Sequence, residues 1–250
     1  MKTTPHKAQL RLRLAKEAAR LMYEEGVKQY MDAKQMAARR LLGQQGKRRL
    51  QFRPSQLPSN GEIQQALLEL ARLREGSDRQ DRLFVMRVMA LEAMHSLEAF
   101  EPRLIGSVST GHVRRGSDID LHVFTDDLGV LEQHMEGLGW DFEMSVVTIR
   151  SGTGFEDYHH AHVAGAFELE LSVYPTAQRR VVQRSSTDGK PIVRLKARAV
   201  ESLLEEEHSA LWATYRRTGQ LPQLDDGMLL GCGVTMAQVE EDGQMVPWRW

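Results

Sequence analysis

The stretch LIGSVSTGHVRRGSDIDLHVF, residues 104–124, decides the fold of this chain. It contains Gly-Ser, a glycine four residues after that serine, and then Ser-Asp-Ile-Asp leading into an apolar run. Successive side chains of a β-strand point to opposite faces, so we expect Asp118 and Asp120 on one face and Ile119 and Leu121 on the other. One face of this strand is therefore predicted to belong to the core, and the other to a polar site.

The polar face has the chemistry of a metal and phosphate site. Two carboxylates at this spacing repel each other unless a cation lies between them, and Mg²⁺ takes oxygen ligands of this kind. We expect Gly106 and Ser107 to end a strand over residues 103–107, where the glycine lets the backbone approach a ligand and the serine offers its hydroxyl and amide to phosphate. Gly111 permits a second sharp turn. The loop that follows it carries side chains able to reach phosphates: His112, Arg114 and Arg115.

This arrangement resembles the nucleotidyltransferase superfamily typified by DNA polymerase beta. The resemblance covers roughly residues 80–175 and rests on six motif positions: Gly106, Ser107, Gly111, Ser117, Asp118 and Asp120. It implies that the glycines and serines of this set, together with Arg115, bind the nucleotide. It also implies that the two aspartates are catalytic metal ligands.

The family adds a third carboxylate from a neighbouring strand, and the segment GAFELELSVYP, residues 165–175, offers two. Glu168 and Glu170 alternate, so both face one side of their strand. The family pattern favours Glu170 as the catalytic third ligand and leaves Glu168 open. The family more commonly has aspartate here, and glutamate is longer by one methylene group.

The resemblance implies an enzyme that uses Mg²⁺, with Mn²⁺ as the alternative ion, and an NTP, with ATP as the first choice. Such an enzyme transfers a nucleoside monophosphate to an acceptor hydroxyl and releases pyrophosphate. Glu170 is also a candidate general base. The acceptor stays open between an RNA end, a small molecule and a protein. Because glutamate replaces the usual aspartate, the alternative is a non-catalytic module of the same fold that binds nucleotide or RNA.

The segment DYHHAHV, residues 157–163, invites a metal interpretation of its histidines. His160 and His162 would share one strand face, with His159 on the other. Cysteine is missing from the neighbourhood, and strand histidines are more often hydrogen-bonded than zinc-bound. We therefore predict a structural role or a place at the rim of the substrate site.

Periodicity predicts an α+β fold in which a helical region precedes a mixed or antiparallel sheet flanked by helices. We expect three parts: a helical region 1–76 with a linker at 43–60, a nucleotidyltransferase-like domain 77–217, and an irregular tail 218–250. Helices are predicted over 8–25, 27–42, 59–75, from 77 onward, near 128–138 and over 196–217, and strands over 103–107, 118–124, 143–149 and 160–174. The linker segment KRRLQFR, residues 47–53, is predicted to be solvated, with RNA binding as the alternative.

Composition narrows the partners of the chain. Its 250 residues carry a formal net charge of −1, which argues against a long nucleic-acid track but allows a short RNA end. No apolar run approaches a membrane span, and the single cysteine, Cys232, excludes a disulfide framework, so we expect a cytoplasmic protein. The helical N-terminal region also allows a homodimer.

Overall fold

The computed structural model describes residues 5–27, 29–42, 57–151, 154–185 and 189–224. The segment 47–53, most of the predicted linker, and the tail beyond residue 224, including Cys232, lie outside the described residues. The helices are α1 (Pro5–Glu24), α2 (Tyr30–Leu42), α3 (Asn60–Glu75), α4 (Asp78–Ser96), α5 (Gly106–Thr110), α6 (Leu128–Gly137), α7 (Ala197–Glu207) and α8 (Ser209–Thr218). The strands are β1 (Arg103–Leu104), β2 (Ile119–Phe124), β3 (Phe142–Ser151), β4 (Gly154–Val163) and β5 (Leu169–Tyr174). Within these ranges, every helix is too short or too polar to cross a lipid bilayer.

The contacts of the chain divide it into two units, the first holding α1–α3 with a short segment at 184–191. A capping box begins α3, since the Ser59 side chain accepts from the Glu62 amide and the Glu62 carboxylate accepts from the Ser59 amide at 2.7 Å. Arg11 of α1 forms a salt bridge with the same carboxylate, with Nη2 of Arg11 2.6 Å from Oε2 of Glu62. The unit has its own apolar cluster, which includes Leu14, Ala18, Leu21, Ala33, Ala37, Ile63 and Leu67.

The second unit holds α4–α8 and a five-stranded sheet in the order β1-β2-β5-β4-β3. Strands β2 and β5 pair in parallel, and the other neighbours pair antiparallel. The α+β fold with a mixed sheet after N-terminal helices is therefore as the sequence predicts. The core lies on one face of this sheet, where Ile119, Leu121, Leu169 and Leu171 are fully buried. Helix α4 supplies much of this core, and its residues from Arg82 to Leu91 are all buried.

Three predicted elements are wrong in their bounds. The predicted strand 103–107 stops at Leu104, because Gly106 adopts a φ of +69° and begins a short helix. The predicted strand 160–174 is two strands, β4 and β5, separated by a turn. The predicted helix 196–217 is two helices, because His208 leaves the helical conformation (φ −135°, ψ 33°) where its buried ring packs 5.6 Å from the ring of Phe84.

Candidate active site

The turn between β1 and α5 lies against the carboxylate of Asp120. The Ile105 amide donates to the Asp120 carbonyl at 3.0 Å, which joins the end of β1 to β2. A Cβ placed on Gly106 would lie 2.0 Å from Oδ2 of Asp120, well inside the 3.0 Å that real Cβ atoms keep from non-bonded heavy atoms. Glycine is therefore required at this position twice over, by its positive φ and by the carboxylate that lies against it.

Hydrogen bonds from backbone and side-chain groups stabilise the loop after α5. Gly111 ends α5 with a φ of +72°, the His112 amide donates to the Ser107 carbonyl at 2.8 Å, and Arg79 of α4 donates to the Gly111 carbonyl at 2.7 Å. Ser117 Oγ accepts from the Arg114 amide at 3.0 Å, so this serine holds the turn that precedes the aspartates.

Among the predicted nucleotide-binding residues, Ser107 and Arg115 differ in accessibility. The hydroxyl of Ser107 is enclosed and makes no hydrogen bond with the described residues. Arg115 lies on the surface of the loop with its side chain exposed. An enclosed polar group without a partner is uncommon and calls for an explanation such as a missing ligand.

Three carboxylates converge at the start of β2 and β5. Each of Asp118, Asp120 and Glu170 offers an oxygen, and these oxygens all lie within 4.8 Å of one another. Parallel pairing brings Asp120 directly opposite Glu170, and all three residues are half-buried. Glu168 lies outside this group with about half of its side chain exposed, so the geometry favours Glu170 over Glu168 as a third ligand.

The electrostatics of this cluster suit a bound cation. Burial raises the pKa of Asp120 to about 8, and the charges of Asp118 and Glu170 add to the effect. Burial also raises the pKa of Asp118, with a further contribution from Glu170. An oxygen-rich cluster that repels itself when ionised matches the ligand preference of Mg²⁺, so these residues fit the ion that the motif implies.

The two histidines of β4 that face this site are hydrogen-bonded. His160 Nδ1 lies 2.6 Å from Glu170 Oε1, and this hydrogen bond lowers the pKa of Glu170 despite its burial. His162 Nδ1 lies 3.0 Å from Glu168 Oε1. His159 lies on the other face of β4, opposite Val173. The pairing agrees with the predicted structural role, and it places His160 directly beside the acidic cluster.

Strand register arranges this face of the sheet in three rows. The acidic row crosses β2, β5 and β4 as Asp120, Glu170 and His162. The polar row, two residues further along, consists of His122, Ser172, His160 and Ser145. The aromatic row consists of Phe124, Tyr174 and Tyr158, in which the two tyrosine rings lie 5.1 Å apart.

Apart from His160, sequence reasoning missed the residues of the last two rows and the arginine that lies over them. Arg194 Nε donates to His122 Nδ1 at 3.0 Å, and its guanidinium lies 5.5 Å from the ring of Phe124 and 5.9 Å from that of Tyr174. Burial lowers the pKa of His122 to about 3, so this histidine is neutral. Continuing the alternation of Asp118 and Asp120 by two and four residues would have pointed to His122 and Phe124. No local pattern points to Arg194.

Comparison with known proteins adds little to this picture. No family model matches the sequence, and no curated protein matches it. A solved structure described as the structure of GLD-2/RNP-8 complex is 19% identical over 41% of this chain and 42% of that chain, with a TM-score of 0.23. The match thus spans less than half of either chain, and a likeness this low does not bear on function.

Proposed function

We propose that this protein is an Mg²⁺-dependent nucleotidyltransferase that moves a nucleoside monophosphate from an NTP to an acceptor hydroxyl. The observation that carries the proposal is the convergence of Asp118, Asp120 and Glu170 against Gly106, in the order and spacing of the Gly-Ser and Asp-x-Asp motif. Mn²⁺ is the alternative ion, and ATP is the first NTP to test.

The carboxylates of Asp118, Asp120 and Glu170 would hold the divalent ion, which when bound supplies Lewis-acid polarisation of the phosphate and of the acceptor hydroxyl. Gly106 has no side chain and so leaves the space that the carboxylate of Asp120 occupies. His160 fixes Glu170 through the 2.6 Å hydrogen bond. Glutamate has one more rotatable bond than aspartate, and this hydrogen bond restricts the additional conformations that the bond allows.

The turn after β1 is the proposed place of the triphosphate. The enclosed hydroxyl of Ser107 has no partner among the described residues, and a phosphate oxygen would satisfy it. Arg115, exposed on the loop between Gly111 and Ser117, supplies a cation for the same group.

The transfer itself balances without a further reactant. The acceptor oxygen forms a bond to the α-phosphorus, the bond from that phosphorus to the oxygen bridging to the β-phosphate breaks, and pyrophosphate leaves. The hydrogen bond from His160 lowers the pKa of Glu170, so this carboxylate is ionised near neutral pH, and an ionised carboxylate is a stronger base than water. Glu170 is therefore the candidate that takes the acceptor proton.

The test is transfer of label from α-labelled NTPs in the presence of Mg²⁺, with pyrophosphate release measured in parallel. Acceptors come from pooled RNA, small-molecule and protein fractions of a lysate. Asp120→Asn should abolish transfer. Glu170→Gln should reduce it at least 100-fold, whereas Glu168→Gln, a matched change on the same strand face but outside the cluster, should leave most of it.

Two results would end the proposal. One is an Asp118→Ala/Asp120→Ala variant that transfers label as well as the unmodified protein. The other is NTP binding with Mg²⁺ but without pyrophosphate release in any fraction, which would favour the non-catalytic binding module.

A further inference from the structure

The three rows follow one another along the strands on the face of the sheet that carries the site. The acidic row lies at one end, and the aromatic row lies four residues further along the strands, about 13 Å away at the usual rise of a β-strand. This face stays accessible over β4 and β3, where Tyr158, His160 and His162 are half-buried and Val147 is exposed. A molecule bound at the acidic row would thus extend along β4 and β3, because the residues of the other two rows on β2 and β5 are buried.

The far end of this surface carries a positive charge with an unmet hydrogen-bond donor. Arg194 is held by three contacts: its Nε donates to His122 Nδ1, its Nη1 donates to the Val181 carbonyl at 2.8 Å, and its guanidinium lies over the rings of the aromatic row. Its Nη2 is enclosed and has no hydrogen-bond partner among the described residues. The guanidinium is therefore fixed in place with one donor still unsatisfied, which is costly unless a ligand accepts from it.

A second arginine at this end also favours an anion. Burial lowers the pKa of Arg194, and the charge of neighbouring Arg103 contributes in the same direction. A bound oxyanion would reduce the repulsion between the two arginines. A cationic acceptor such as a polyamine would increase it.

We propose that Arg194, together with Tyr158 and His160, half-buried residues of the aromatic and polar rows, forms the acceptor subsite, and that the acceptor carries a phosphate group, bound by Arg194, as well as the hydroxyl that reacts at the acidic row. This inference rests on the proposed nucleotidyltransferase activity. Arg194 contacts the polar and aromatic rows, which puts its guanidinium roughly 7 to 13 Å along the sheet from the carboxylates. A sugar phosphate and the terminal nucleotides of an RNA both carry a hydroxyl and a phosphate, and both have a sugar ring that can pack on the half-buried Tyr158.

The first experiment measures binding without NTP or metal, so it does not depend on turnover. Its probes are ribose 5-phosphate and ribose, which differ only in the phosphate, together with an RNA trinucleotide. The proteins are the full chain, Arg194→Gln, Arg194→Lys and Arg198→Gln, the last of which changes an exposed arginine of α7. We expect a phosphate-bearing probe to bind the unmodified chain and Arg198→Gln at least 10-fold more tightly than Arg194→Gln. Ribose should not distinguish the proteins.

The second experiment uses the transfer assay with the better phosphate-bearing probe as acceptor. Arg194→Gln should raise the KM for that acceptor at least 10-fold and leave the KM for NTP unchanged. If thermal denaturation shows that Arg194→Gln is unfolded, Arg194→Lys takes its place. This variant keeps the charge but loses the planar guanidinium, so the KM for the acceptor should rise by a smaller factor.

The outcomes separate the two proposals. If the protein binds phosphate-bearing probes through Arg194 but transfers no label, the phosphate-binding subsite is supported and the proposed enzymatic activity is contradicted. Transfer to a neutral or cationic hydroxyl compound with a KM that Arg194→Gln does not change would overturn the subsite and leave the enzyme standing. Preference for the trinucleotide over ribose 5-phosphate would identify an RNA end as the source of the phosphate, and the reverse would identify a small molecule.

Discussion

Replacing Gly106 with alanine tests whether the turn after β1 positions Asp120. The new Cβ would lie 2.0 Å from Oδ2 of Asp120, and Cβ atoms essentially never approach another heavy atom within 3.0 Å, so the oxygen must retreat by at least 1 Å. A displacement of this size at a catalytic group can cost about 100-fold in rate. The positive φ of +69° adds a backbone cost of about 1 to 2 kcal/mol in the free energy of unfolding.

Gly139→Ala is the matched control, because Gly139 has a φ of +73° and a Cβ added there would meet nothing within 4 Å. It should lose about the same 1 to 2 kcal/mol and keep its activity. The assays are chemical denaturation for both variants, and Mg²⁺-dependent transfer of label over a range of Mg²⁺ concentrations. Equal activity and equal Mg²⁺ dependence in Gly106→Ala and Gly139→Ala would refute the role given to the turn.

Three further predictions concern the same face of the sheet and its core. The metal-free protein should lose stability, by a few kcal/mol at most, as pH rises from about 4 to 8, because Asp120 has a pKa of about 8 when folded and an ordinary one when unfolded, so the folded state holds the extra proton. Thermal denaturation in EDTA would measure this, and a pH slope unchanged in Asp120→Asn would contradict it. His160→Ala should raise the Mg²⁺ concentration needed for half-maximal activity about 10-fold, since Glu170 loses its 2.6 Å hydrogen bond, whereas His160→Gln should recover part of the loss. Leu121→Ala, at a fully buried position beside the site, should cost about 2 to 5 kcal/mol in the free energy of unfolding by denaturant, and a cost below about 1 kcal/mol would show that this strand face is not core.

Local periodicity predicted the strand that carries the site. The alternation of Asp118, Ile119, Asp120 and Leu121 has a period of two, and the burial of Ile119 and Leu121 confirms the inward face. The same reasoning placed Glu170 on one face of its strand. The resemblance placed it on a neighbouring strand, but neither the resemblance nor any local pattern predicted the parallel pairing that brings it opposite Asp120.

The errors arose where a distant contact overrides local preference. Gly106 has the sequence context of a strand end, but its positive φ begins a helix, and a carboxylate of the next strand lies where a side chain would be. His208 lies inside a helical pattern, yet burial of its ring against α4 breaks the helix. Arg194 contacts His122 across 72 positions of sequence, a separation at which periodicity carries no information.

The apolar face of β2 and β5 fixes the register of their parallel pairing, and this register is what aligns Asp120 with Glu170. Sliding β5 by one residue along β2 would bring a leucine, Leu169 or Leu171, to the place of Glu170 and drive the carboxylate among the apolar side chains. Because β3 and β4 intervene in the chain, the acidic group cannot assemble until the last strand is inserted between β2 and β4. Ion binding would therefore report that β5 has paired with β2, and chains cut short before residue 169 would not bind the ion.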